Sequence, residues 1–253
     1  MSDIKDGDKI VVWFSCGAAS AVAAKRTIEK YGSSCDIRIV NNPIAEEHAD
    51  NRRFLKDVEK WLGKEIEIAT NIKWPSFSAQ EVWEKKKYMS GRGGAPCTGE
   101  LKKKARQQWE ANNSFTWLVL GFTFEEQHRA QRFKLFERSN LLPILIDEQI
   151  SKDQCFEILA LHQIELPEIY KLGYPNANCI GCVKASSSTY WNHVRKMHPE
   201  IFDQRSEQSR RLGARLVYYK GKRIFLDELP EDAKGRKMKN LDIECGIFCE
   251  EKP

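Results

Sequence analysis

"VVWFSCGAAS" (residues 11–20) decides how this chain is read. Apolar, β-forming residues run to Phe14 and stop at Ser15-Cys16-Gly17-Ala18-Ala19-Ser20, and an alanine-rich stretch carrying Lys25 and Arg26 follows directly. This pattern predicts a strand over Lys9–Phe14, a tight turn of small residues, and a helix from about Ala19 to Tyr31. A helix that starts against the end of a strand aims its first backbone N–H groups at one point, where an anion meets hydrogen-bond donors and the positive end of the helix dipole. A tight βα turn with no ligand would use the same small residues, so the choice rests on the remainder of the chain.

Outward from this stretch, strands are expected at Asp36–Asn41, Glu65–Thr70 and Thr116–Gly121, with helices at Asp50–Leu62 and near Leu101–Asn112. Strands alternating with helices imply an α/β fold, a doubly wound parallel sheet. The lysines of Glu84–Lys87 and the glycines of Ser90–Cys97 read as one exposed loop. A helix is expected at Ser151–Gln163 and a loop over Leu166–Lys184. A polar helix over Thr189–Leu212 follows, then a hairpin of Arg215–Tyr219 and Arg223–Leu226 turning at Lys220-Gly221-Lys222. The expected organisation is therefore residues 1–184 as one nucleotide-binding domain and 185–253 as a small C-terminal α+β appendage.

The 253 residues, 41% hydrophobic and 30% charged, suffice for one sizeable core. No apolar run reaches the roughly 20 residues of a membrane span, and the polar start is unlike a secretion signal, so a cytoplasmic protein with no membrane partner is expected. Eight cysteines are many for a reducing compartment, where they serve as metal ligands or redox nucleophiles more readily than as disulfides. The net charge of +5 suits an anionic substrate or a nucleic acid without choosing between them.

Neither the Walker pattern nor the three-glycine dinucleotide fingerprint fits, since Gly17 is the sole glycine of the loop. Ser15, Gly17 and Ser20 instead match S-x-G-x-x-S, which resembles the PP-loop of the adenine-nucleotide α-hydrolase superfamily. Four further segments in order extend the likeness: "PCTGELKKK" (96–104), "GFTFEEQHRAQRF" (121–133), "DEQISKDQCFEILALHQIELPEIYKLGYPNANCIGCVK" (147–184) and "IECGIFCE" (243–250). Together they resemble the phosphoadenylyl-sulfate (PAPS) and adenylyl-sulfate (APS) reductase family. The chain departs from that pattern at Ala18-Ala19, Asn41-Asn42, Pro96, Lys152-Asp153 and Phe248.

The resemblance implies a PP-loop sheet and an adenine nucleotide (ATP, APS or PAPS) held by Ser15, Cys16, Gly17, Ala18, Ala19 and Ser20. Asn42, Gly121, Glu126, Arg129, Arg132 and Lys103 are expected near it. It also implies that Cys245 is the nucleophile and that a thiol reductant such as thioredoxin is a partner. A two-residue gap lets Cys179 and Cys182 reach one metal centre. With Cys97 they read as ligands of a 4Fe-4S cluster, with zinc as the rival; either Cys245 or Cys249 could close the shell, and where Cys245 is the nucleophile, Cys249 is either the fourth ligand or a resolving thiol. Cys35 and Cys155 are expected in the core.

The terminal region interleaves aromatic and basic residues, among them Tyr190-Trp191, Arg195-Lys196, Arg210-Arg211, Arg215 and the Lys220–Arg223 turn. Nucleic-acid binding uses that mixture, but an ordinary solvated surface is the favoured reading. Three functions follow: a sulfonucleotide reductase-like oxidoreductase, a PP-loop sulfurtransferase thiolating RNA or DNA, and a metal-stabilised binding module without turnover.

Overall fold

The computed structural model describes residues 4–91 and 94–238. In chain order the elements are β1 (Lys9–Phe14), α1 (Ala18–Tyr31), β2 (Asp36–Asn41), α2 (Asn51–Leu62), β3 (Ile66–Ile68), α3 (Ala79–Lys86) and a π-helical segment (Thr98–Lys103) running into α4 (Lys104–Ala111). Then come β4 (Trp117–Val119), a 3-10 turn (Phe124–Glu126), α5 (Gln127–Phe136), β5 (Leu141–Leu142), α6 (Ile144–Asp147) and α7 (Lys152–Leu161). The described chain closes with α8 (Glu168–Lys171), α9 (Ser188–Met197), α10 (Pro199–Arg211) and the hairpin β6 (Val217–Tyr219) and β7 (Lys222–Ile224).

β1 to β5 form one parallel sheet in the order β3-β2-β1-β4-β5. β1 is central, and Ile10 to Phe14 are each no more than 4% exposed. A strand covered on both faces needs an unbroken apolar run, and the sequence supplies one. The order reverses between β1 and β4, which creates the crevice at their carboxyl ends where open α/β sheets take ligands. α1 packs against β1, α6 and α7.

Contacts divide the chain into two compact units, one of residues 1–43, 49–69 and 106–168, the other of 44–48, 70–105 and 169–253. The expected boundary at Lys184 falls inside the second unit, because the chain crosses between units several times. The first unit holds the sheet, with a core built on Ile10, Val12, Phe14, Phe54, Val58 and Leu159. The second packs Trp83, Met89, Tyr190, Trp191 and Phe202 with the hairpin residues Val217 and Ile224.

Three expectations are corrected by local physics. The single polar helix over Thr189–Leu212 is two helices, because Pro199 cannot continue the first and instead begins the second. The lysine-rich stretch read as part of a loop is the end of α3, capped by Ser78, whose side chain accepts from the Glu81 N–H. The helix expected from Leu101 begins earlier, at Thr98, as a π-helical turn.

Candidate functional site

The loop after β1 is built by its own residues. Ser20 Oγ accepts from the Ser15 N–H at 3.1 Å and donates to the Gly17 carbonyl at 2.9 Å, leaving the Ser15 hydroxyl to donate to it at 3.2 Å. Ser20 is buried and Ser15 exposed, so one serine braces the turn while the other faces solvent. Cys16 is buried and takes a positive φ of 55°, unusual for a residue with a Cβ. Asn41, at the end of β2, holds it there, its side-chain amide donating to the Phe14 carbonyl at 2.8 Å and to Cys16 Sγ at 3.4 Å. Gly17 precedes the first turn of α1, which carries no acidic residue. The N–H groups of Ala18, Ala19 and Ser20 are thus presented at a 14-residue helix start without a competing carboxylate.

Gly121 closes the other side. A Cβ placed there would lie 2.7 Å from the Ser20 backbone nitrogen and 2.9 Å from its Cα, so only glycine lets the end of β4 approach α1 this closely. Asn42 is turned away, donating to the Ala69 carbonyl at 2.8 Å. Glu126 accepts from the Thr123 N–H at 3.1 Å as part of a capping box and pairs with Arg129, which also lies over the Phe122 ring at 5.2 Å. In this arrangement Glu126 caps the turn ahead of α5, and Arg129 in its first turn pairs with it. Arg132 is exposed on α5, and Lys103 is half-buried in the second unit. Asn41, absent from the expected site list, is the residue that fixes the strained loop position.

In the second unit, Cys182 is buried and Cys97 and Cys179 are half-buried. The Cys179–Cys182 turn is pinned from three sides. The Ile180 N–H donates to the Glu46 carbonyl at 3.0 Å, and the Cys182 N–H donates to Tyr190 Oη at 2.9 Å. Tyr190 in turn donates toward the Cys179 carbonyl at 3.4 Å. Gly181 has a φ of 66°, and a Cβ there would press on Ile201 Cγ2 at 3.2 Å, with Arg205 Nε at 3.7 Å. Arg205 is 2% exposed. Burial pushes its pKa down, against the pull of Glu46 and the Cys179 and Cys182 sulfurs. Burial likewise pushes the Tyr190 hydroxyl well up, so it stays protonated.

Cys97 immediately precedes the π-helical segment, where Glu100 gathers Lys104 at 2.8 Å, Lys86 at 2.9 Å and the Trp74 indole at 3.1 Å. Burial alone would raise the Glu100 pKa, but these partners outweigh it and hold the carboxyl down at about 2. Among the described residues, no three His, Cys, Asp or Glu side chains are grouped as they would be around one metal ion. Cys245 and Cys249 lie outside the described residues. The donor chemistry nevertheless suits a thiolate-bound centre: soft sulfur ligands, Cys97 and Cys179 packed against an apolar core, Ile201 and Trp191 against Gly181, and the buried Arg205 beside the turn. Cys155, by contrast, sits in the first core with its thiol pushed up to about 12, chiefly by burial, and is a packing residue.

Much of the basic and aromatic interleaving is structural. Tyr190 and Trp191 are core residues, Arg195 donates to the Asn192 side chain and the Leu229 carbonyl, and Arg210 pairs with Asp227 and Glu228. Arg215 and Arg223 line a concave surface with Tyr88, Met89 and Phe225. Among the described residues, no helix is long and apolar enough to cross a membrane.

No protein-family model matches the sequence, and no curated protein does. Among solved structures, the chain is similar to phosphoadenylyl-sulfate (PAPS) reductase from Candida auris in its phosphate complex, at 10% identity and a TM-score of 0.48, covering 67% of this chain and 80% of that one. It is also similar to U34-tRNA thiolase NcsA from Methanococcus maripaludis with its 4Fe-4S cluster, at 14% identity and a TM-score of 0.46, covering 84% of this chain and 74% of that one.

Proposed function

We propose that this chain is a sulfonucleotide (PAPS or APS) reductase-like enzyme that binds an adenylyl nucleotide at Ser15–Ser20. The observation that carries the reading is the loop itself: a self-braced serine turn at the reversal point of a parallel sheet, feeding donors from a helix start with no acid in its first turn. Ser15, at the exposed rim, is the side chain that can turn its hydroxyl from Ser20 to an anionic oxygen. Gly121 keeps the crevice narrow, and Asn41 holds the backbone ready before the ligand arrives.

The reaction assigned to it is reductive. The Cys245 thiolate attacks the substrate sulfur, the S–O bond to the nucleotide breaks, and the nucleoside phosphate leaves with the electron pair. The resulting S-sulfonated cysteine is cleaved by an external dithiol, which is oxidised to its disulfide as sulfite is released. Cys97, Cys179 and Cys182 would hold an iron–sulfur cluster, with Cys249 as fourth ligand or resolving thiol. When bound, such a cluster supplies a concentrated charge and a redox-sensitive thiolate environment.

The first test is oxygen-free purification with iron, sulfide and zinc analysis. About four irons with equal sulfide are expected, followed by mass-spectrometric trapping of the S-sulfonated Cys245 in a single turnover. A Cys245→Ser variant with full activity would overturn the reaction, and one zinc without sulfide would overturn the cluster. A second reading, RNA or DNA thiolation, is favoured by the concave surface carrying Arg215, Arg223 and Tyr88. It predicts pyrophosphate release from ATP that is stimulated by nucleic acid and abolished at Arg215→Ala with Arg223→Ala.

A further inference from the structure

We infer that Arg205 is the fixed counter-charge of an anionic thiolate-bound centre at Cys179 and Cys182. This inference rests on the reading that those cysteines hold a metal centre. An arginine keeps its charge in proteins, so a guanidinium that is 2% exposed brings a full positive charge out of water. Buried charges are ordinarily paired, yet Arg205 makes no ion pair with a carboxylate among the described residues. Its partners are neutral: Gln208 Oε1 accepts at 2.6 Å, and the Trp83 ring lies 4.3 Å from the guanidinium carbon. Its Nε–H is buried with no hydrogen-bond partner. Glu46, an acid near it, is committed elsewhere. Its carboxylate accepts from Ser78 Oγ at 2.7 Å and from the Ala79 and Gln80 N–H groups at 2.8 and 3.0 Å, at the start of α3.

The orphaned Nε lies against the Cys-x-x-Cys turn, 3.7 Å from the point where Gly181 would carry a Cβ. The absence of that Cβ lets the turn lie close against the guanidinium. Three or four thiolates around zinc or a 4Fe-4S core leave a net negative charge, which is what this cation lacks. Arg205 is therefore a positioning residue: it touches no substrate, and it favours the metal-bound, deprotonated sulfurs over an empty site.

The test compares wild type with Arg205→Met, which keeps bulk and removes charge, and Arg205→Lys, which keeps charge. Each full-length protein is loaded with zinc alone, and separately with iron and sulfide. Affinity is read by chelator competition and stability by thermal unfolding after chelation. Arg205→Met is expected to lose metal affinity by about tenfold while its chelated form unfolds no earlier than wild type, since an apolar side chain removes an unpaired buried charge. Arg205→Lys should keep most of the affinity. If Arg205→Met does not fold, Arg205→Gln is the uncharged comparison. Unchanged affinity in the uncharged variant overturns the inference, as does equal loss in Arg205→Lys. Zinc uptake without a cluster would sink the iron–sulfur assignment alone, because the zinc affinities still decide the role of Arg205. A wild type that takes up neither metal overturns both.

Discussion

The Ser15–Ser20 loop and the Cys179–Cys182 turn are both tight turns of small residues, but they are held in opposite ways. The first is local: within six residues of sequence, Ser20 satisfies Ser15 and Gly17, and Asn41 and Gly121 reach in from the ends of β2 and β4. It is also neutral, offering donors without a formal charge. The second is clamped by Glu46 and Tyr190, far apart in the chain, and it stands beside Arg205, a buried cation with no carboxylate ion pair among the described residues. A neutral, self-braced cradle suits a ligand that comes and goes with its own charge. A turn clamped from several elements next to a buried charge suits a resident anionic centre.

The comparison breaks first at Gly121. Gly121→Val would drive a side chain into the backbone of Ser20, which cannot step aside as the far end of a flexible side chain could. We expect about 2–3 kcal/mol of destabilisation and loss of nucleotide binding, measured by denaturant unfolding and calorimetric titration. Wild-type stability in this variant would mean that the loop is looser than the contact implies.

The second unit should respond next, through acid. Glu100 has a folded-state pKa near 2 against an ordinary 4.5, so its contribution is complete above about pH 4.5 and fades as pH falls toward 2. Allowing for half-exposed Lys86 and Lys104, the loss is about 2 kcal/mol. Glu100→Gln should remove that part of the pH dependence between about pH 5 and 2, and an unchanged acid profile would refute the role given to this carboxylate. Tyr190→Phe tests the clamp itself: it strands the buried Cys182 N–H at a cost of about 1.5 kcal/mol. It should also hasten metal loss to a chelator, which a purely structural tyrosine elsewhere in that core would not do.

The same contrast explains what can be read in the sequence. β1 matches its expected limits because a fully covered parallel strand must be an unbroken apolar run, and the small-residue loop lies where that run ends; β2 matches through the buried Ile37, Ile39 and Val40 around a half-buried Arg38. β5 has no such signal, because Leu141–Leu142 is too short to have a period. The loop residues are legible because their contacts are local. Tyr190 and Arg205 are not legible as site residues: Arg205 sits in PEIFDQRSEQSRR, a stretch that reads as a polar, solvated helix. Its burial comes from packing against Trp83 and the distant cysteine turn, which no window of sequence reports. Asn41 shows no such signal in the sequence, yet its amide reaches the loop, while that of Asn42 donates to the Ala69 carbonyl.

The smallest effect expected is at Ser20. Ser20→Ala removes an acceptor for the Ser15 N–H and a donor to the Gly17 carbonyl. Both groups lie at the rim of the loop, where the neighbouring Ser15 is exposed and water can replace part of what is lost, so the fold should weaken by only about 1 kcal/mol. Nucleotide affinity should fall further than stability does, because the hydroxyl that sets the turn's shape also fixes where the N–H groups of Ala18 and Ala19 point. Ser15→Ala is the partner measurement: it leaves the brace in place and removes only the exposed hydroxyl. If Ser20→Ala binds a nucleotide as tightly as wild type while Ser15→Ala does not, the ligand is held by the rim side chain alone. A loss in Ser20→Ala with Ser15→Ala unaffected would instead mean that the braced backbone does the holding, as a self-built neutral cradle requires.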